Sequence, residues 1–85
     1  SFELLLIKLK NDPASRGDIM AAADAFEAKT VDYTRESIVL RVTADSRRID
    51  DFIDLMRDYE ILEICRTGVV SLERGADTIR KVTNL

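Results

Sequence analysis

The chain has no histidine and no tryptophan, one cysteine, one proline and three glycines. A single cysteine excludes an internal disulfide, and without histidine none of the common zinc or haem spacings is present. We therefore predict a reducing cytoplasm as its compartment. The sequence also lacks a secretion signal and any run near the roughly 18 apolar residues of a membrane-spanning helix. It thus predicts no membrane association.

Excess positive charge is absent as well. Thirteen Lys and Arg face sixteen Asp and Glu, which leaves a net charge of -3 without any basic block. Phosphate binding depends on clustered cations, so we expect no nucleic-acid partner. The content of 46% hydrophobic and 34% charged residues in 85 positions is typical of one small globular domain. The start at Ser1, without Met, leads us to expect more protein upstream.

The opening segment Phe2–Lys10 predicts a strand with two apolar faces near its start. Leu5, Ile7 and Leu9 lie on one face, and Phe2, Leu4 and Leu6 lie on the other. A helix layer accounts for one of these faces. We expect the second, with Phe2, Leu4 and Leu6, to contribute to an interface, and burial under a tail is the alternative. Replacing Leu4 and Leu6 by Glu should then disrupt self-association without unfolding.

The tripeptide Arg16-Gly17-Asp18 resembles a cell-adhesion signal, but its context predicts a helix start. A turn at Asn11-Asp12-Pro13 precedes it, and the apolar residues that follow recur at helical spacing. Ser15 and Asp18 have the spacing of a capping box, in which Ser15 accepts from a backbone N–H of the first turn. We therefore predict that the tripeptide belongs to a capped helix.

The remaining pattern predicts two β-branched strands around 29–33 and 37–43, a helix capped by Asp45 or Ser46 and ending near Tyr59, and a strand from Ile61. The order strand, helix, strand, strand, helix, strand predicts an α+β fold: a ferredoxin-like (βαββαβ) sandwich with two helices on one face of an antiparallel sheet. Gly68 indicates a bulge or bend before 69–72. We assign this domain to residues 1–75, and residues 76–85 to a tail that is a short helix or frayed.

No set of residues indicates catalysis. Asp50, Asp54 and Asp58 share one face of the second predicted helix, where a solvated face is the better interpretation than a cation site. Cys65 lacks a histidine base, so we expect a buried small side chain. The sequence therefore predicts no catalytic, cofactor-binding or metal-binding residues, and a regulatory or assembly module instead.

Two stretches, Ile49–Met56 and Ile61–Gly75, resemble the C-terminal domain of the small, regulatory subunit of acetolactate synthase, also called acetohydroxyacid synthase. The segments Glu3–Lys8, Ser15–Met20 and Ala28–Tyr33 match that domain in order and spacing. The most specific part runs from Arg66-Thr67-Gly68 to Glu73-Arg74-Gly75. The resemblance covers nearly the whole chain up to Gly75.

The resemblance implies a fragment without the N-terminal ACT domain, whose dimer interface binds valine or another branched-chain amino acid. It implies a homodimer and a large catalytic subunit as partner, with thiamine diphosphate, magnesium and FAD in that partner and no cofactor here. The implied function is to support activation and feedback regulation of the enzyme that makes branched-chain amino-acid precursors. The alternative is a free-standing ACT-like amino-acid sensor, whose melting temperature would rise with its ligand.

Overall fold

The structure, a computed structural model, describes residues 2–67 and 82–84 of the chain. The elements are β1 (Glu3–Lys10), α1 (Arg16–Ala25), β2 (Lys29–Tyr33), β3 (Ser37–Ala44), α2 (Ser46–Met56), β4 (Ile61–Thr67) and β5 (Val82–Asn84). The strands form one antiparallel sheet in the order β2-β3-β1-β4-β5. The first six elements confirm the predicted ferredoxin-like fold.

The core lies between one face of the sheet and the two helices. Alternate residues of a strand share a face of the sheet, and every third or fourth residue of a helix lies on the same side of the helix. The apolar residues at these spacings face one another in the core. The strands contribute Leu5, Ile7, Leu9, Ile38, Leu40, Val42, Ala44 and Ile64, and the helices contribute Ile19, Ala23, Ile49, Phe52, Ile53 and Met56. Burying each large side chain of this kind stabilises the fold by about 1.5 to 3 kcal/mol. The predicted core residues of β1, β3 and α2 are all confirmed.

Helix α1 begins as predicted at the adhesion-like tripeptide, but its cap differs. Arg16, Gly17 and Asp18 form the first turn of the helix. The predicted capping box is wrong, because the Ser15 side chain makes no cap hydrogen bond within this described segment. The backbone of Ser15 is already close to helical, with φ -118° and ψ -14°, whereas a capping residue needs an extended backbone. The Asp12 carbonyl instead accepts from the Ser15 and Arg16 N–H groups at 3.0 and 2.9 Å.

Helix α2 has the side-chain cap that the sequence predicts. Asp45 is extended, with φ -69° and ψ 165°, and its carboxylate accepts from the Arg48 N–H at 2.9 Å. The regular helix ends at Met56, three residues before the predicted end. A tight turn continues the chain, since the Tyr59 N–H donates to the Met56 carbonyl at 3.0 Å. The helix therefore starts as predicted and ends one turn early.

Asn11 joins the two loops at one end of the sheet. Its side-chain amide donates to the Thr34 carbonyl, its backbone N–H donates to the Glu36 carbonyl at 2.9 Å, and its Oδ1 accepts from Arg16 Nε at 2.7 Å. The residue is 4% exposed. Buried polar groups need partners, and Asn11 satisfies its own by fixing the β1–α1 turn against the β2–β3 link.

Within the tail predicted as a short helix or a frayed end, the structure describes a short strand. Val82–Asn84 forms β5, which pairs with Cys65, Arg66 and Thr67 of β4. Ile79, Val82 and Leu85 recur at helical spacing in the sequence, but three residues are too few to set a period. The free edge of β4 offers unpaired backbone groups instead. The rest of the predicted tail, the bulge at Gly68 and the segment 69–72 lie outside the described residues.

The described helices are short. Neither has the length and apolar character needed to cross a membrane.

Candidate interaction surface

The face of the sheet opposite α1 and α2, which we call the outer face, is defined by the strand register. Residues directly opposite each other on neighbouring strands point to the same face. Leu4 pairs with Thr43, Leu6 pairs with Arg41 and Cys65, and Lys8 pairs with Val39 and Glu63. Both described helices pack on the other face. The outer face is therefore a mixed apolar and charged surface.

The three residues predicted to contribute to an interface lie at or near the outer face. Leu4 and Leu6 are neighbours on its central strand, with Leu6 37% exposed and Leu4 half-buried. Phe2, directly before β1, is 53% exposed. Exposed apolar side chains grouped on one surface are typical of interaction sites. Their part in an interface remains a proposal.

The outer face also contains a shallow concavity that the sequence reasoning missed. Its volume is about 530 Å³, and the outer-face residues that line it are Leu6 and Lys8 of β1, Val39 of β3, and Leu62, Glu63 and Cys65 of β4. Val39 stands between the core residues Ile38 and Leu40, which is the same two-sided apolar pattern as in β1. That pattern was the signal available in the sequence.

Leu62 reaches this concavity because of an irregularity in the β1–β4 pairing. The register shifts between Lys8, which pairs with Glu63, and Leu9, which pairs with Ile61. The extra residue of a bulge has no direct partner, and the strand bends locally. Leu62 is 44% exposed as a result of this position. Simple alternation along β4 did not predict it.

Cys65 is half-buried, so the prediction of a buried side chain is wrong. The core residue of this part of β4 is Ile64, which pairs with Ile7. Cys65 alternates with Ile64 and therefore shares the outer face with Leu6, its pairing partner. The thiol contributes a small apolar group to the concavity.

Arg66 lies on the opposite side of β4, where it links β4 to β1 and α2. We call Arg66 and its partners Glu3, Ser46 and Asp50 the Arg66 cluster. Its guanidinium pairs with the Glu3 carboxylate of β1, with Asp50 Oδ1 of α2 at 2.6 Å, and donates to the Ser46 carbonyl at 3.2 Å. The Ser46 hydroxyl donates to the second oxygen of Glu3. The cluster fastens the beginning of β1 to the beginning of α2.

The electrostatics of the cluster favour its charged state. The hydrogen bond from Ser46 lowers the pKa of Glu3; burial opposes this, and the hydrogen bond from Arg66 adds to the lowering. Burial alone would lower the pKa of Arg66, but its hydrogen bonds to Glu3 and Asp50 outweigh burial and raise it. Hydrogen bonds to a charged form stabilise that form, so the pair stays ionised at neutral pH.

Thr67 fastens β1 in a second way, from the residue after Arg66. Its Oγ1 accepts from the Leu4 N–H at 3.0 Å and lies 3.3 Å from the Leu4 carbonyl oxygen, to which it can donate. Arg66 and Thr67 thus hold the consecutive residues Glu3 and Leu4. These four residues belong to stretches that carry the family resemblance in the sequence.

The acidic side of α2 has the solvated character predicted for it. Asp50 is 62% exposed and pairs with Arg66, and Asp54 and Asp58 are exposed. Within residues 2–67 and 82–84, no group of three or more His, Cys, Asp or Glu side chains is placed to hold a metal ion. The absence of catalytic and cofactor-binding residues stays a prediction.

Comparison with known proteins gives a consistent result over most of the chain. A family profile described as "Small subunit of acetolactate synthase" matches residues 2–75. A protein of Archaeoglobus fulgidus, named "Probable acetolactate synthase small subunit", is 44% identical over 73 residues, which are 86% of this chain and 46% of that protein. The "Acetolactate synthase small subunit" of Bacillus subtilis is 42% identical over 73 residues, covering 86% of this chain and 42% of that protein.

Among solved structures, a crystal structure of an acetolactate synthase small subunit from Thermotoga maritima has a TM-score of 0.72 with this chain. The match covers 99% of this chain and 45% of that protein, at 24% identity, and supports the fold. The chain spans just under half the length of these relatives.

Proposed function

We propose that this chain, which belongs to the acetolactate synthase small-subunit family, is a non-catalytic regulatory domain that supports activation and feedback regulation of a catalytic partner. The profile match over residues 2–75 carries the proposal, because it spans every described element except β5. The work of such a domain is done by contact with another subunit. A sheet face that neither described helix covers suits that work.

The outer face supports this proposal through its composition. Leu4, Leu6 and Phe2 present apolar surface at the beginning of β1, and we assign to them a contribution to the interface. The Arg66 cluster and Thr67 hold this beginning in place, so the surface is built on a fixed strand. Useful regulation needs a coupling of about 1 to 3 kcal/mol between effector and partner, which a fixed interface can transmit.

The partner in this proposal is the large catalytic subunit, in the cytoplasm. Thiamine diphosphate, magnesium and FAD belong to that subunit, and effector sensing belongs to the ACT domain that the resemblance places outside this chain. A homodimer stays a prediction, which sedimentation equilibrium of the purified chain checks directly.

The proposal is tested by titrating the chain into its cognate catalytic subunit and measuring the rate of acetolactate formation with and without valine. We expect the rate to rise to a plateau that is the same in both series. An equal concentration of an unrelated small protein is the control. A rate that does not change with added chain would contradict the proposal.

The same experiment separates the regulatory domain from an amino-acid sensor. A sensor would bind valine or a related amino acid by itself, and binding to the native state raises the melting temperature. We expect no rise for this chain in excess valine, measured by calorimetry. A rise with valine, together with a valine-dependent plateau in the titration, would favour the sensor instead.

A further inference from the structure

Three cations on the outer face have no ionic partner in the described part of the chain. Lys29 of β2 lies directly opposite Arg41 of β3. Lys8 of β1 lies opposite Val39, two residue pairs along the sheet from the pair of Leu6 and Arg41. Lys29 and Arg41 are exposed, and Lys8 is half-buried. Like charges directly opposite each other destabilise a sheet. The fold therefore gains nothing from placing Lys29 opposite Arg41.

The carboxylates of the same face leave the cations unpaired. Asp32 and Glu63 lie opposite Val39 and Lys8 in the register. The ion pairs of the described residues join Lys10 to Glu60 and Arg66 to Glu3 and Asp50, and none includes Lys8, Lys29 or Arg41 within 4.0 Å. Three cations and two carboxylates leave this part of the outer face with one excess positive charge, within a chain whose net charge is -3.

The cations border the concavity on the outer face. Arg41 lies opposite Leu6, and Lys8 lies between Val39 and Glu63, so the cations adjoin the apolar wall formed by Leu6 and Val39. An apolar hollow beside unpaired cations is complementary to an apolar side chain that is flanked by carboxylates. Neither feature alone indicates a partner, and their adjacency favours a segment of that chemistry.

We propose that the outer face docks an acidic, apolar segment of the catalytic partner, with an apolar side chain in the concavity and carboxylates against Arg41, Lys29 and Lys8. The inference rests on the proposed function, which supplies the partner subunit. It specifies the chemistry of the docked segment and the surface that receives it.

A second copy of this chain fits the same surface less well. Two copies could pack outer face to outer face about a two-fold axis that runs along β1. Leu6 would then lie against Leu6 of the second copy, and Lys8 would lie against Lys8. If the two-fold axis instead runs across the strands through Leu6, Arg41 would lie against Arg41 and Lys29 against Lys29 of the second copy. This is because Lys29, Arg41 and Leu6 lie directly opposite one another on neighbouring strands. Each arrangement buries like charges against each other, which disfavours association. These two arrangements therefore favour the catalytic partner over a second copy on this face.

The test measures binding of the catalytic subunit by the wild-type chain and by Arg41→Glu, at low and high salt, by calorimetry. Arg47→Glu is the matched control, because Arg47 is an exposed arginine on α2, away from the outer face. We expect Arg41→Glu to weaken binding by about tenfold or more at low salt, and less at high salt, because salt screens exposed charges. Arg47→Glu should stay within about twofold of wild type. Arg41→Gln, with a melting temperature equal to that of the wild type, should show an intermediate loss of affinity. This variant keeps the test valid if Arg41→Glu misfolds.

The outcomes are distinct. Equal affinities of Arg41→Glu and Arg47→Glu, with normal binding by the wild type, would overturn this inference and leave the proposed function standing. Absence of wild-type binding would overturn both. A change in self-association of Arg41→Glu with unchanged binding of the catalytic subunit would assign the face to a second copy.

Discussion

The two faces of β1 share one backbone and differ in what covers them. Leu5, Ile7 and Leu9 are fully buried beneath the helices, whereas Leu6 is 37% exposed and Lys8 is half-buried on the outer face. The covered face contains only apolar residues along this central stretch, and the outer face alternates them with charges. Stability is therefore concentrated on the covered side. The outer side presents apolar and charged residues that neither described helix covers, which is typical of a surface used for binding.

The same substitution at two neighbouring positions of β1 gives the largest expected difference in stability between the two faces. Leu5→Ala should lower the free energy of unfolding by about 3 to 5 kcal/mol, because it removes a buried side chain and leaves a cavity. Leu6→Ala should cost about 1 kcal/mol or less, since that side chain is 37% exposed. Urea unfolding of both variants measures the difference. Equal losses would mean that the outer face is covered in the isolated chain.

Replacing one arginine on each face tests whether the two side chains contribute differently to the free energy of unfolding. Arg66→Met should cost about 2 kcal/mol, because it leaves the buried Glu3 carboxylate without its charged partner. Arg41→Met, on the outer face, should stay within about 0.5 kcal/mol of wild type. Chemical denaturation of the two variants side by side provides the measurement. A costly Arg41→Met would refute the view that the outer face adds little to stability.

Acid should weaken the covered side specifically through Glu3. The pKa of Glu3 is lower in the folded chain than its ordinary value of about 4.3, so its stabilising effect is present above that value and lost as the pH falls below it. Glu3→Gln removes this dependence. We expect the wild type to lose more stability than Glu3→Gln between about pH 6 and pH 3, measured by urea unfolding. Parallel pH profiles would show that Glu3 is not held in its charged form.

The smallest expected effect compares two threonines on either side of Leu4. Thr67→Val removes the acceptor of the Leu4 N–H and should cost about 1 kcal/mol. Thr43→Val, at the exposed position paired with Leu4 on β3, should be nearly neutral. Thermal unfolding of both variants measures the difference. Equal melting temperatures would show that Thr67 does not hold the beginning of β1.

Periodic patterns predicted the covered face well. The apolar alternation of β1 and β3 and the stripe of α2 identified the buried residues, and the family resemblance supported their arrangement. Asp45 was predictable as a cap because its role depends on residues three positions away. Ser15 was not, because the preceding turn at Asp12 fixes its backbone in a conformation that a capping box excludes.

Contacts between distant residues were beyond these patterns. Glu3 and Arg66 are 63 positions apart, and nothing local indicates that they meet. Leu62 reaches the outer face through a register shift that arises only when β4 pairs with β1. β5 forms because β4 has a free edge, which overrides the helical spacing around Val82. The alternation in β1 therefore predicted Leu4 and Leu6 of the candidate surface. The concavity could not be predicted, because it depends on how the strands pair.

The central claim, that the covered face builds the domain and the outer face serves the partner, is tested most directly with Leu4→Glu/Leu6→Glu. Stimulation of acetolactate formation by this variant would be measured against that by the wild-type chain, after circular dichroism confirms the fold. We predict a folded variant whose stimulation falls by about tenfold or more. A folded variant that stimulates as well as the wild type would contradict the claim.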